Sequence, residues 1–251
     1  KELKRYEEAE KEFREAIRIN PYCADAYYNL GNLLAELKRY EEAEKEYREA
    51  IRINPNYAEA HNNLGILFAE LKRYEEAEKE FREAIRINPN YAKAHNNLGN
   101  LLKDLKRYEE AEKEYREAIR INPNYADAYY NLGNLFVDLK RYEEAEKEYR
   151  EVIGIDPNYA KAHYNLGVLL ANLERYEEAE MEYREAIRIN PNDAGAYYNL
   201  ACLYSLKNDL KNSIKYLKKA IEIDKKFKEM AKEDKDFDNI RNTKEFKEIL
   251  Y

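Results

Sequence analysis

The 251-residue chain carries 44 Lys and Arg against 51 Asp and Glu, a formal charge of −7 that argues against a general nucleic-acid or anionic-membrane binder. Its two cysteines, Cys23 and Cys202, are too few for a disulfide framework or a zinc motif and suit a reducing cytoplasm. No apolar run approaches the roughly 20 residues of a membrane span, and no signal peptide is visible.

In chain order, residues 1–23 read as the second helix of a truncated unit. The chain starts at Lys1 in mid-pattern without Met, as a piece of something longer would. All six prolines (Pro21, Pro55, Pro89, Pro123, Pro157 and Pro191) then fall on one 34-residue ruler. A fixed period of that length marks stacked copies of one supersecondary unit.

Within residues 21–54, Tyr27, Leu30, Leu33, Leu34 and Leu37 share one helical face, and Tyr40, Ala43, Tyr47, Ala50 and Ile51 share another. Lys38-Arg39 between them reads as a short polar turn, so the unit is two antiparallel helices, A and B. Pro55 with Asn54 and Asn56 ends helix B and restarts the chain. Gly31 sits in mid-helix and recurs as Gly65, Gly99, Gly133 and Gly167. A glycine there costs about 1 kcal/mol relative to Ala, so close approach of helix B is the expected reason, with Ala43 and Ala50 as its small counterparts. On the outer face of helix B, Glu41–Lys45 and Glu44–Arg48 are spaced as i,i+4 ion pairs.

Six full units follow, at 24–57, 58–91, 92–125, 126–159, 160–193 and 194–227. The last one drifts: Ala201 replaces Gly, Ser213 replaces Ala and Lys225 replaces Pro. Residues 228–251 put Phe237, Ile240, Phe246, Ile249 and Leu250 on helical spacing and read as C-terminal capping helices. One unit buries too little apolar surface to offset the entropy of ordering it, so stacking must supply the rest. The fold class is all-α, an α-solenoid of stacked antiparallel helix pairs.

The series Tyr27, Leu30-Gly31, Leu34, Tyr40, Ala43, Tyr47, Ala50, Pro55 resembles the tetratricopeptide repeat family over residues 1–227. Tyr27, His61, His95, Tyr129, His163 and Tyr197 stand where that family often has Trp. The resemblance implies a right-handed superhelix with helix A lining a concave face and helix B outside. It also implies a protein-interaction scaffold rather than an enzyme, with a protein or peptide partner and no cofactor.

The candidate binding surface is a polar stripe on helix A, Asp25, Asn29, Asn32 and Glu36, opposite the leucines. One of its positions never varies: Asn29, Asn63, Asn97, Asn131, Asn165 and Asn199. A primary amide both donates and accepts, so a row of them can grip a peptide backbone of any sequence. The arrangement is similar to the asparagine ladder of tetratricopeptide domains that bind extended chains. The invariance also follows if Asn-Leu-Gly was merely copied with the rest of a near-identical repeat, and the sequence leaves both readings open.

Asn32, Asn100 and Asn134 continue the stripe, and Tyr28, Tyr130, Tyr164 and Tyr198, alternating with Asn62 and Asn96, flank it. These tyrosines suit either pockets for apolar ligand side chains or packing against the next repeat. Glu36, Glu70, Asp104 and Asp138 put negative charge at the end of helix A, favouring a basic or neutral peptide if they face the groove. The Lys and Arg of the family's carboxylate clamp are mostly absent, since Tyr28, Asn62, Asn96 and the invariant Asn stand at those sites.

His61, His95 and His163 each replace a core Tyr, one per repeat, too far apart to share a metal ion, and are expected to pack. Asp234, Asp236, Asp238 and Glu245 have calcium-loop spacing, but Asn239 occupies the position that wants Gly, so helix capping is expected instead. Nothing supplies a nucleophile with its base. Two further possibilities stand beside the scaffold: head-to-tail self-association through an open N-terminal end, and service as the recognition arm of a larger enzyme.

Overall fold

A computed structural model describes residues 2–250, with side chains from Arg5 onward. It forms two compact units, one up to Ala128 and one from Tyr129. The first holds α1 (Glu2–Ile19), α2 (Ala24–Glu36), α3 (Tyr40–Ile53), α4 (Ala58–Glu70), α5 (Tyr74–Ile87), α6 (Ala92–Asp104), α7 (Tyr108–Ile121) and the start of α8 (Ala126–Asp138). The second holds the rest of α8, then α9 (Tyr142–Ile155), α10 (Ala160–Asn172), α11 (Tyr176–Ile189), α12 (Ala194–Leu206), α13 (Leu210–Ile223), α14 (Lys226–Glu233), a 3-10 turn (Lys235–Phe237) and α15 (Lys244–Leu250). Among the described residues there is no strand.

In the first unit α2 pairs with α3, α4 with α5 and α6 with α7; in the second α10 pairs with α11 and α12 with α13. Each pair also packs on the next through its B helix, as α3 does on α4 and α11 on α12. The A helices meet one another too, α2 on α4 and α4 on α6, then α10 on α12. Each unit is therefore a solenoid segment. The expected stripes are its core: Leu30, Leu33 and Leu34 from α2 are buried with Ala43, Tyr47 and Ala50 from α3, while Tyr27, Leu37, Tyr40 and Ile51 are half-buried at its edges.

The recurrent glycine has a sharper cause than helix approach. A Cβ on Gly31 would lie 2.7 Å from Cδ1 and Cε1 of Tyr47, so the ring lies directly over the glycine. Gly65 faces Phe81 in the same way, Gly99 faces Tyr115, Gly133 faces Tyr149 and Gly167 faces Tyr183, all at 2.7–2.8 Å. The last repeat shows the exchange that this contact demands. Where Ala201 replaces Gly, the facing residue is Leu217, and Ser213 in place of Ala donates to the Ala201 carbonyl at 2.8 Å.

The polar turn has a defined geometry. After α2, the Lys38 N–H bonds the Ala35 carbonyl and the Arg39 N–H bonds the Leu34 carbonyl, the two bonds of a Schellman closure. That closure needs a left-handed residue, and Lys38 takes it at φ 59°, as do Lys72, Lys106, Lys140, Glu174 and Asn208. At the other end, the Asn54 side chain accepts from the Asn56 N–H at 3.2 Å, an Asx turn that recurs at Asn88, Asn122, Asp156 and Asn190. It persists at Asp224–Lys226, where the proline is gone.

Beyond α13 the chain folds back on the last pair. Phe227, Phe237, Ile240, Phe246 and Leu250 are buried against Tyr198, Ala201, Cys202, Leu217 and Ala220. Asp234 caps the 3-10 turn, accepting from the Asp236 N–H at 3.0 Å, which is the capping role expected of that acidic run.

Because the ring leaves no room for a methyl group, Gly99→Ala is expected to destabilise the protein by about 1–3 kcal/mol. Adding Tyr115→Leu, the partner found opposite Ala201, is expected to recover part of that loss. Urea denaturation of the wild type, both single variants and the double variant measures the coupling.

Candidate functional site

The helix A stripe is built by register. Asn29 and its copies lie opposite the buried leucines, so the packing that buries Leu30 and Leu64 turns the amides toward the neighbouring A helix. Asn29 is exposed, and Asn63, Asn97, Asn131, Asn165 and Asn199 are half-buried. In the first unit, Asn63 Nδ2 donates to Asn32 Oδ1 at 2.8 Å and to the Tyr28 hydroxyl at 3.1 Å, one repeat back. Tyr47, from helix B, donates to the same Asn32 Oδ1 at 2.9 Å. Asn62 Nδ2 donates to Asn63 Oδ1, and Asn97 Nδ2 to Asn62 Oδ1, both at 3.0 Å. Asn100 accepts from the Tyr115 hydroxyl at 2.8 Å.

The second unit repeats the pattern. Asn165 Nδ2 donates to Asn134 Oδ1 at 2.9 Å and to Tyr130 at 3.0 Å, Tyr149 donates to Asn134 at 2.7 Å, and Asn199 Nδ2 donates to Tyr164 at 3.1 Å. The asparagines thus bond each other along the stack, and Asn63 and Asn165 have both amide hydrogens engaged. Sequence reading credited each amide with free donors as well as acceptors; the structure commits donors of Asn63, Asn97, Asn165 and Asn199 to the preceding repeat.

The Asn at the Asn32 position depends on a hydroxyl. It faces Tyr47, Tyr115 and Tyr149, whereas opposite Phe81 the position is Ile66 and opposite Leu217 it is Cys202. Val168 opposite Tyr183 departs from this, and there the hydroxyl pairs with Asn199. Burial pushes the Tyr47, Tyr149 and Tyr183 phenols up, as expected for interior hydroxyls.

Tyr28, Tyr130 and Tyr164 are half-buried and pack, as one of the two expected roles requires. Each touches a helix B ring, with centroids 6.1–6.3 Å apart. Tyr28 also meets Tyr57 at 5.0 Å, and Tyr130 meets Tyr159 at 5.3 Å. The row Tyr57, Tyr91, Tyr125 and Tyr159 escaped sequence reading, although its 34-residue spacing is visible. These residues precede helix A and are half-buried. Tyr57 donates to Asp25 Oδ1 at 2.7 Å, and the Tyr91 phenol is pushed up to about 12 by burial and then by the Glu59 charge.

Arg39 was read as part of a turn, yet it ties repeats together. Its Nη1 bonds Glu10 Oε2 of the preceding B helix at 2.6 Å while its Nε bonds Glu42 at 2.7 Å. Arg73 bridges Glu44 and Glu76 and lies 4.2 Å over the Phe68 ring; Arg107 bridges Glu78 and Glu110, and Arg175 bridges Glu146 and Glu178. The Arg39 bond holds the Glu10 carboxyl below its ordinary range.

The histidines are buried as expected, but each has a partner that sequence reading missed. Nδ1 of His61, His95 and His163 lies 2.6 Å from Glu80, Glu114 and Glu182 of the same repeat's B helix. Cys202 is buried and Cys23 half-buried, both free. Folding brings Cys202 to Asp234 and Asp236, their ligand atoms within 4.8 Å of one another, and Tyr198 donates to Asp234 at 2.7 Å. Burial and the two carboxylates push the Cys202 thiol well up, so this cluster holds a protonated thiol.

This alternation of A and B helices, with glycine under a ring in five of the pairs, defines a class of helical-repeat protein. The family description "TPR repeat" matches residues 1–38, 99–139 and 133–173, and "Tetratricopeptide repeat" matches residues 22–90, 158–226 and, in a second form, 80–113. The chain belongs to the tetratricopeptide repeat family. No curated protein sequence matches it. Among solved structures, Pseudomonas aeruginosa pilF is similar at 24% identity and TM-score 0.75, over 84% of this chain and 97% of pilF. YrrB, described as a TPR protein with an unusual peptide-binding site, is similar at 25% identity and TM-score 0.58, over 71% of this chain and 92% of YrrB. A chain of the APC/C hetero-tetramer Cut9-Hcn1 shares the fold at 15% identity and TM-score 0.71, over 98% of this chain and 45% of that one. Among the described residues, no helix is long and apolar enough to cross a membrane.

Burial alone would push the His163 imidazole down, but the Glu182 bond, the Pro157 carbonyl and the charges of Glu182 and Glu185 push it above 6.5. A raised folded pKa stabilises the native state fully below the unfolded value and loses that contribution as pH rises through the folded one. The His163 contribution is therefore expected to be larger near about pH 6 than near about pH 9. His163→Tyr, which installs the residue found at Tyr129 and Tyr197, should flatten this part of the dependence in thermal melts across that range.

Proposed function

We propose that this chain is a non-enzymatic interaction scaffold whose helix A face binds an extended peptide or protein segment. The observation that carries the reading is the polar ladder of Asn63, Asn97, Asn165 and Asn199, pre-ordered by bonds to the preceding repeat and half open to solvent. Groups already held in place lose little further entropy on binding. Within each unit, side-chain carbonyl oxygens one repeat apart suit the N–H groups of an extended backbone, with Tyr28 in the first unit and Tyr130 and Tyr164 in the second offering aromatic edges to its side chains. YrrB lends support as a similar protein described as having an unusual peptide-binding site.

Isothermal titration against a random peptide pool, with wild type and with Asn97→Ala plus Asn165→Ala, tests the ladder. Affinity is expected to fall about tenfold, the effect of one or two lost hydrogen bonds, while circular dichroism shows the helix content kept. Unchanged affinity would remove the asparagines from the site.

Self-association is a second reading, favoured by Ile19 and Tyr22, which stand 72% and 76% exposed beside α1. Because the last repeat is covered by its own chain through Phe227, Phe237 and Phe246, contact through the α1 end alone gives a closed dimer rather than an open filament. Light scattering over a concentration series is then expected to plateau at twice the monomer mass, and a constant monomer mass removes this reading.

A further inference from the structure

Resting on the peptide-binding reading above, the geometry points to a ligand segment bearing Arg or Lys, held at the α2–α4 end of the helix A face. The two faces of the first unit are charged on different terms. On the B helices the arginines are matched: Arg39 with Glu10 and Glu42, Arg48 with Glu44, Arg52 with Glu49 and Arg82 with Glu78. On the A helices α2 carries Asp25 and Glu36, α4 carries Glu59 and Glu70, and neither holds a Lys or Arg. All four carboxylates are exposed, and among the described residues none of them is in an ion pair. The balance changes at α6, where Lys93 and Lys103 stand against Asp104.

A second observation concerns hydrogen bonding. Several donors on this part of the face are spent inward: both Asn63 amide hydrogens go to Asn32 and Tyr28, the Tyr57 hydroxyl goes to Asp25, the Tyr47 hydroxyl to Asn32 and the Tyr6 hydroxyl to Glu36. The four exposed carboxylates remain acceptors toward solvent, so a ligand that brings charged donors is matched and one that brings more carboxylates is not. The third observation is aromatic. The Tyr28 and Tyr57 rings lie 5.0 Å apart at 40°, with Asp25 bonded to Tyr57 at their edge. Ring faces beside a carboxylate accept a guanidinium or ammonium by both charge and quadrupole. Guanidinium fits better, because its planar fork pairs with a carboxylate while it stacks on a ring.

The test uses three short synthetic peptides of equal length, one bearing Arg and Lys, one of Gly and Ser, and one bearing Glu, titrated calorimetrically at low salt. The basic peptide is expected to bind about tenfold or more tightly than the neutral one, with the acidic one weakest. Asp25→Asn with Glu59→Gln, exposed changes that keep the acceptor oxygens, is expected to erase the preference, as is raising the salt to about 0.5 M. Equal binding of basic and neutral peptides overturns this inference and leaves the peptide-binding reading standing. A preference that survives the double variant also overturns it. Failure of all three peptides to bind overturns both.

Discussion

The stack depends on a ring lying on a bare backbone. At Gly31, Gly65, Gly99, Gly133 and Gly167 an aromatic side chain of helix B rests where a Cβ of helix A would be. This contact sets how closely the pair approaches, and that closeness places the leucines of one helix among the alanines of the other. The last repeat shows that the two positions are one choice, because losing the glycine coincides with losing the ring and gaining a serine that bonds the buried Ala201 carbonyl. A mid-helix glycine costs stability by itself, so its recurrence makes sense only with its partner.

The ring also connects packing to the surface. Apart from Phe81, the aromatic lying on a glycine is a tyrosine, and its buried hydroxyl needs a partner. At Tyr47, Tyr115 and Tyr149 that partner is an asparagine on helix A, and Asn32 and Asn134 also receive the amide of the following repeat. The polar ladder is thus partly a consequence of the core: asparagine stands where a hydroxyl emerges and gives way to Ile66 or Cys202 where the ring lacks one. The invariant asparagine follows a different rule, since it bonds the preceding repeat whether or not the ring has a hydroxyl. That separation makes it the stronger candidate for a role beyond packing.

Features that depend on one helix or one repeat were legible in the sequence. The stripe Leu30, Leu33, Leu34, the pause at Lys38-Arg39 and the restart at Pro55 are local, and local pattern predicts them. The capping role of Asp234 was legible for the same reason. What escaped joins residues across the turn or across repeats. His61 and Glu80 lie 19 positions apart, on two helices whose relative rotation periodicity does not specify. Arg39 looked like turn filler because its partner Glu10 belongs to the preceding repeat. The Tyr57 row lies outside both helical stripes, so only its spacing marked it. The asparagine stripe was found, but the spending of its donors was not, because that requires the position of the next A helix.

The left-handed residue in each joint has a consequence for how such a chain can diversify. Two backbone bonds count residues there, so a joint such as Leu37-Lys38-Arg39 admits no insertion without losing the closure. The arginine that follows is also bonded to the neighbouring copy, so a slip would disturb two units at once. Loop grafting, the usual way in which folds acquire new specificities, is therefore closed at these joints, and change there is confined to exchanging side chains.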